Sequence, residues 1–164
     1  MFTIKEISSA EEKAAICDNI LRQLPNWFGI EESIVDYVAG VMNRPFYCAF
    51  DGVVGRETST HQPIGFVSLL VHNPHTAEIY VMGILEQCHR QGVGRELVEA
   101  CENYCKTNGM EFLTVKTLAE SHPDPYYKKT RQFYEAMGFK PLEVFPLLWD
   151  ENNPCLFLVK YLGR

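Results

Sequence analysis

Apolar and polar side chains alternate over residues 2–7, Phe2-Thr3-Ile4-Lys5-Glu6-Ile7, the period-two pattern of a strand. The period then lengthens. Ala14, Ala15, Ile16, Ile20, Leu21 and Leu24 give one apolar face to a helix. Ser8 or Ser9 is its N-cap, Glu11 and Glu12 lie in its first turn, and Pro25 stops it. Trp27-Phe28-Gly29 reads as an aromatic loop and residues 31–42 as a second helix. Strands follow at 46–50 and 64–72, with a polar, glycine-containing loop over 51–62 between them. After the turn Asn73-Pro74-His75 comes a strand built on Ile79, Tyr80, Val81 and Ile84, with Glu78 near its start. Arg90-Gln91-Gly92-Val93-Gly94 is a tight turn. Leu97, Val98, Cys101, Tyr104 and Cys105 then line one face of a helix that Asn108-Gly109 closes. Residues 111–117 predict a strand, 118–125 a loop, and about 126–137 a helix ended by Gly138. Strands over 140–148 and 155–162, joined by the polar turn Asp150-Glu151-Asn152-Asn153-Pro154, complete the chain. The order β-α-α-β-β-β-α-β-α-β-β, with no repeat and no linker, predicts a single α/β (α+β) domain over residues 1–164.

The turn at 90–94 carries the first chemical suggestion. A helix N-terminus has unpaired N–H groups and a dipole that favours negative charge, and glycine lets an anion approach the backbone. Arg90 and Arg95 flank the turn as partners for phosphate oxygens. The P-loop pattern is absent. The three-glycine dinucleotide fingerprint is incomplete, since Leu97 stands where the third glycine belongs. On spacing alone the segment reads equally well as a plain glycine turn.

Composition narrows the classes. At 164 residues, 46% hydrophobic and 22% charged, the chain suits one soluble domain with a sizeable core. A net charge of -6 disfavours nucleic-acid binding through a basic surface and mildly suits a cationic acceptor. None of the six cysteines forms Cys-x-x-Cys, so they read as reduced thiols, with Cys101 and Cys105 one turn apart on an apolar helix face. His72 and His75 lie in a turn without further ligands at suitable spacing, so no metal site is predicted. The opening residues carry no signal peptide and no apolar run spans a bilayer, so the expected location is cytoplasmic, away from membranes.

Two motifs together point further. His89-Arg90-Gln91-Gly92-Val93-Gly94, after a strand and before a helix, resembles the acyl-CoA pyrophosphate loop of the GNAT family of N-acetyltransferases, Arg/Gln-x-x-Gly-x-Gly/Ala. His89 replaces the leading Arg/Gln but keeps a hydrogen-bond donor. Downstream, Phe133-Tyr134-Glu135-Ala136-Met137-Gly138-Phe139 resembles the family's Phe/Leu-Tyr-x-x-x-Gly-Phe. Residues 126–139 are similar to a bacterial subgroup with Tyr-x-x-Thr-Arg-x-Phe-Tyr-x-x-x-Gly-Phe, Tyr127 and Thr130 standing where many members carry Asn and Ala.

The resemblance implies a mixed sheet of about seven strands with helices on both faces, splayed beside the central helix so that acetyl-CoA enters the gap. It assigns the cofactor to Met82, Gly83, Ile84, His89, Arg90, Gln91, Gly92, Val93, Gly94 and Arg95. Glu78, in an Ala-Glu-Ile that resembles family members with a catalytic glutamate, becomes a candidate base, and Tyr134 a candidate acid for the departing thiolate. Trp27 and Phe28 fall in the segment that lines the family's acceptor site, and Tyr127, Thr130 and Arg131 near its acyl or acceptor end. Each has a plain alternative: a solvent-facing carboxylate, a core aromatic, or loop anchors packed on the core. Lys128 and Lys129 read as a solvated helix face. The implied activity is acetyl transfer from acetyl-CoA to a primary amine of a small molecule or peptide. The alternative is a non-catalytic acyl-CoA sensor, or an interaction module that kept only the fold. Dimers are common in the family, so a homodimer is among its implications.

Overall fold

Every predicted element is present in the computed structural model, which describes residues 1–52, 57 and 60–163. The 51–62 loop therefore lies in part outside the described residues. The elements are β1 (Phe2–Glu6), α1 (Ala10–Arg22), α2 (Glu31–Gly40), β2 (Phe46–Asp51), β3 (Pro63–Asn73), β4 (Thr76–Ile84), α3 (Val93–Thr107), β5 (Phe112–Leu118), α4 (Pro125–Ala136), β6 (Lys140–Asp150) and β7 (Asn153–Tyr161). One turn of 3-10 helix follows α2 and another follows β4. The strands form one seven-stranded mixed sheet in the order β1-β2-β3-β4-β5-β7-β6. The β4–β5 pair is parallel, while β1–β2, β2–β3, β5–β7 and β6–β7 are antiparallel. By contact the chain divides into two units, Met1–Leu70 with Tyr80–Cys101 and Val71–Ile79 with Glu102–Arg164.

In the first unit, Ser9 caps α1 by accepting a hydrogen bond from the Glu12 N–H at 3.2 Å. The helix ends at Arg22, earlier than Pro25 suggests, because the Gln23 N–H turns back to Ile20 at 3.1 Å. Arg22 then reaches Asp18 at 2.8 Å and Glu31, at the start of α2, at 2.8 and 2.9 Å. Its hydrogen bonds hold the Glu31 carboxyl below the usual carboxylate range. Ile16, Ile20, Leu21 and Leu24 bury the apolar face that the sequence pattern predicts. Gly83 of β4 makes that packing close: a Cβ there would meet Ile20, Leu24 and Leu21 at 3.2 to 3.3 Å. The stacked rings of Phe46 and Phe66, 5.2 Å apart, fill the core between β2 and β3.

In the second unit, β4 and β5 pair from Thr76↔Phe112 to Ile79↔Val115. Helix α4 begins at a cap that hydrophobic periodicity does not reveal. Asp124 accepts from the Tyr126 and Tyr127 N–H groups at 2.8 and 3.1 Å, and Pro125 supplies the preset first turn. Gly138, with φ of +93°, ends the helix in the left-handed conformation, and Phe139 N–H returns to the Tyr134 carbonyl at 3.0 Å. Lys160 of β7 pairs with Glu102.

Candidate active site

The turn predicted to hold an anion has the local shape for it. Arg90 and Gly92 both have positive φ, +62° and +87°. A Cβ built on Gly92 would meet nothing within 4 Å, so the backbone there faces open space. The chain enters α3 at once, with Val93 and Gly94 buried and Arg90, Gln91 and Arg95 exposed. The first helical hydrogen bond runs from Glu96 N–H to the Gly92 carbonyl at 3.1 Å. A 15-residue helix thus presents its positive end beside two exposed arginines and the open backbone of Gly92. That arrangement fits a pyrophosphate.

His89 is held differently from the sequence expectation. Its Nε2 donates to the Ile84 carbonyl at 2.9 Å, and its ring packs edge-on to Trp27 at 5.6 Å. That N–H is therefore already engaged, and His89 clamps the turn to the end of β4. Trp27 and Phe28 are both half-buried, and their backbone N–H groups bond the Leu24 carbonyl at 3.1 and 2.9 Å. Phe28 leads into an aromatic row, Phe28–Tyr37 at 6.0 Å and Tyr37–Tyr80 at 5.4 Å, and the Arg44 guanidinium lies 4.2 Å over Tyr80. Burial pushes the Tyr80 phenol up, against the pull of Arg44. Met82 and Ile84 are half-buried on the same strand as Gly83.

The second unit brings the predicted base into company that the sequence did not announce. Glu78 is 7% exposed, and its Oε1 accepts from both His72 Nε2 and Lys116 Nζ at 2.8 Å. The cause is strand geometry. His72 and Glu78 flank the β3–β4 turn. The register sets Glu78 opposite Thr114, so Lys116, two residues on, shares its face. Lys116 also lies 5.7 Å over the Phe157 ring. His72 keeps 39% of its side chain exposed, leaving a path from the buried carboxylate to water. His72 and Lys116 are functional candidates that sequence reading missed. A turn histidine six residues before an acid was the one signal available.

Tyr134 is 5% exposed within α4 and packs against Phe133 at 5.3 Å and Phe139 at 5.5 Å. Arg131, 8% exposed, donates to the Leu118 carbonyl at 2.8 Å, tying α4 to the end of β5. Thr130 donates back to the Tyr126 carbonyl at 3.4 Å, and Tyr127 is half-buried, while Lys128 and Lys129 are exposed as expected. Among the described residues no group of three or more His, Cys, Asp or Glu could hold a metal ion, and no helix is long and apolar enough to cross a membrane.

Comparison with known proteins gives these motifs a context. The acetyltransferase (GNAT) family model matches residues 14–139. An uncharacterized N-acetyltransferase of Chlorobaculum tepidum is 29% identical over 97 residues, covering 57% of this chain and 56% of that protein, so the chain matches about half the length of this curated relative. Among solved structures, a GNAT-family protein from Desulfovibrio desulfuricans superposes with a TM-score of 0.79 at 14% identity, covering 99% of this chain and all of the other. An aminoglycoside 6'-N-acetyltransferase complexed with coenzyme A superposes with a TM-score of 0.72 at 17% identity, over 99% of this chain and 98% of the other. At such identities the solved structures establish the fold.

Proposed function

The chain belongs to the GNAT family of acetyltransferases, whose members use acetyl-CoA, and on that premise we propose that it transfers an acetyl group from acetyl-CoA to a primary amine of a small molecule or peptide. The observation that carries the reading is the anion-ready helix terminus at residues 90–95, where Arg90 and Arg95 flank the open backbone of Gly92 at the start of α3. Acetyl-CoA supplies the acyl group as a thioester. Arg90 and Arg95, with the backbone of residues 91–94, are the groups to hold its pyrophosphate. Backbone groups of residues 82–84 are the donors for the pantetheine arm and the carbonyl oxygen.

The proton budget explains why a base belongs in the site. An amine with pKa about 10.4 costs roughly 4.6 kcal/mol to deprotonate at pH 7, and an α-amine with pKa about 7.8 only about 1 kcal/mol. Glu78, directly or through a water, is the acceptor of that proton, and His72, hydrogen-bonded to its Oε1, orients the carboxylate. Tyr134 is the donor for the departing thiolate. Trp27, Phe28, Tyr127 and Thr130 are the side chains offered to the acceptor, whereas the Arg131 guanidinium is committed to Leu118. A cytoplasmic enzyme with reduced thiols accords with this chemistry.

The test is thiol release from acetyl-CoA across polyamines, aminoglycosides, amino acids and peptides, run beside calorimetric CoA titration of the wild type and Gly92→Asp. Turnover with one amine class is expected, with at least tenfold weaker CoA binding by the variant, whose carboxylate would face the pyrophosphate. CoA binding without release from any amine would replace the enzyme by a sensor. Equal affinity of the two proteins would remove the loop assignment.

A further inference from the structure

The lysines of the chain differ in what holds them. Lys128 and Lys129 are exposed on α4. Lys13 is buried and donates to the Arg44 carbonyl at 2.7 Å, an acceptor that takes no proton. Lys160 pairs with Glu102 of α3, a carboxylate with no assigned chemistry. Lys116 alone of these donates to the carboxylate read above as a base, with Nζ 2.8 Å from Glu78 Oε1. Strand register puts it there. On β5, Lys116 stands two residues beyond Thr114, the partner of Glu78, and directly opposite Phe157 of β7. Its ammonium is therefore held both by Glu78 and by the Phe157 ring, 5.7 Å away. The side chain keeps 29% of its surface exposed, so the amine is not sealed from reagents.

A primary amine at hydrogen-bond distance from a carboxylate base is the nucleophilic half of an acyl transfer. A free acceptor must lose its freedom to reach that position, whereas Lys116 is fixed in it by the sheet and its two partners. We propose that Lys116 is a self-acetylation site: given acetyl-CoA and no free amine, its Nζ takes the acetyl group. As an ammonium, Nζ has no lone pair. Glu78 Oε1 accepts a proton from it, and the neutral nitrogen attacks the thioester carbonyl carbon. The C–N bond forms and the C–S bond breaks. Of the two protons the nitrogen gives up, one passes through Glu78 to solvent and the other ends on the departing sulfur, leaving an amide and free CoA thiol. An amide carries no positive charge, so the ion pair with Glu78 ends with the transfer. The inference rests on the acetyl-transfer reading of Glu78 and adds to it a modification site on the chain itself.

The experiment incubates the full chain, unmodified at the start, with acetyl-CoA bearing a deuterated acetyl group and no acceptor. Intact mass and peptide mapping follow the label over time. One labelled acetyl group per chain is expected, on Lys116, arriving about tenfold faster than on Lys128, Lys129 or Lys160. The rate constant is expected to stay the same across a dilution series, because donor site and acceptor belong to one chain. Glu78→Gln, which removes the base, and Gly92→Asp, which leaves the cluster intact and opposes the pyrophosphate, are each expected to reduce Lys116 labelling to the level of the exposed lysines. Labelling of Lys116 no faster than of Lys128 or Lys160 overturns the proposal. So does a rate proportional to protein concentration, and so does undiminished labelling of Glu78→Gln. A wild type that acetylates free amines while Lys116 stays unlabelled keeps the acetyl-transfer reading and removes only this inference. A wild type that binds no CoA in calorimetry removes both.

Discussion

Glu78 concentrates the chemistry of the second unit in one oxygen atom. Its Oε1 accepts from a lysine ammonium and an imidazole N–H at once, within a site 7% exposed. A buried carboxylate is tolerable only with such partners. Replacing it by an amide keeps the shape and removes the charge and the basicity. Glu78→Gln is expected to lower kcat/KM for alkyl amines by at least tenfold at pH 7 and to lower it less for α-amines, which need little help in losing a proton. Equal losses on both amine classes, in parallel thiol-release assays, would assign Glu78 a structural part only. The acid itself was readable from Ala77-Glu78-Ile79. Its partners were not, because Lys116 reaches it through a strand register that no local pattern encodes. His89 makes the complementary point. Its position in the turn was evident, but its bond to Ile84 depends on where β4 ends.

Between elements, tolerances are set by contacts that periodicity does not reach. Gly40 ends α2, and a Cβ there would stand 2.2 Å from the Tyr80 hydroxyl and 2.8 Å from its ring carbon. Tyr80 is confined by Tyr37 and by Arg44, which also bonds the Gly40 carbonyl. Gly40→Ala is therefore expected to destabilise the fold by about 1–3 kcal/mol, despite alanine's better helix propensity. A urea midpoint equal to or above that of the wild type would mean that Tyr80 moves aside freely. Element type and order were legible throughout, because apolar spacing at two or at three to four residues is local. Boundaries were less so. Helix α2 gives way to a 3-10 turn two residues before its expected end, and β6 runs two residues beyond its own. At the first, the Arg44 N–H turns back to the Val41 carbonyl at 3.2 Å; at the second, Asp150 pairs with Asn153 at the start of β7.

At the scale of the whole chain, four buried thiols tie stability to alkaline pH. Burial pushes Cys17 and Cys48 up to about 12 and Cys105 and Cys155 up to about 11. These groups stay protonated in the folded state at pH values where the unfolded chain, with thiols near 9, has released its protons. The folded state then binds more protons than the unfolded one, so stability falls as pH rises from about 9 toward 11. The slope approaches about 1.4 kcal/mol per pH unit for each such thiol. Urea unfolding at pH 8, 9, 10 and 11 should show this decline, shallower for Cys48→Ala. An unchanged slope in that variant would assign the decline to other groups. That Cys101 and Cys105 are core residues was readable from their place on one apolar helix face. How deeply each is buried required the packed structure.

The parallel join between β4 and β5 has a consequence in time. Thr76 pairs with Phe112, 36 residues away, and all of α3 must be in place between them, whereas β6 and β7 meet across a tight turn. Loop closure makes the near pairing fast and the distant one slow. The Lys116–Glu78 contact exists only once the slow pairing is made, so during refolding the His72–Glu78–Lys116 cluster is expected to assemble late. In stopped-flow refolding, acetyl-transfer activity should return after the far-UV signal has recovered. Simultaneous return would mean that the parallel pair forms with the rest of the sheet.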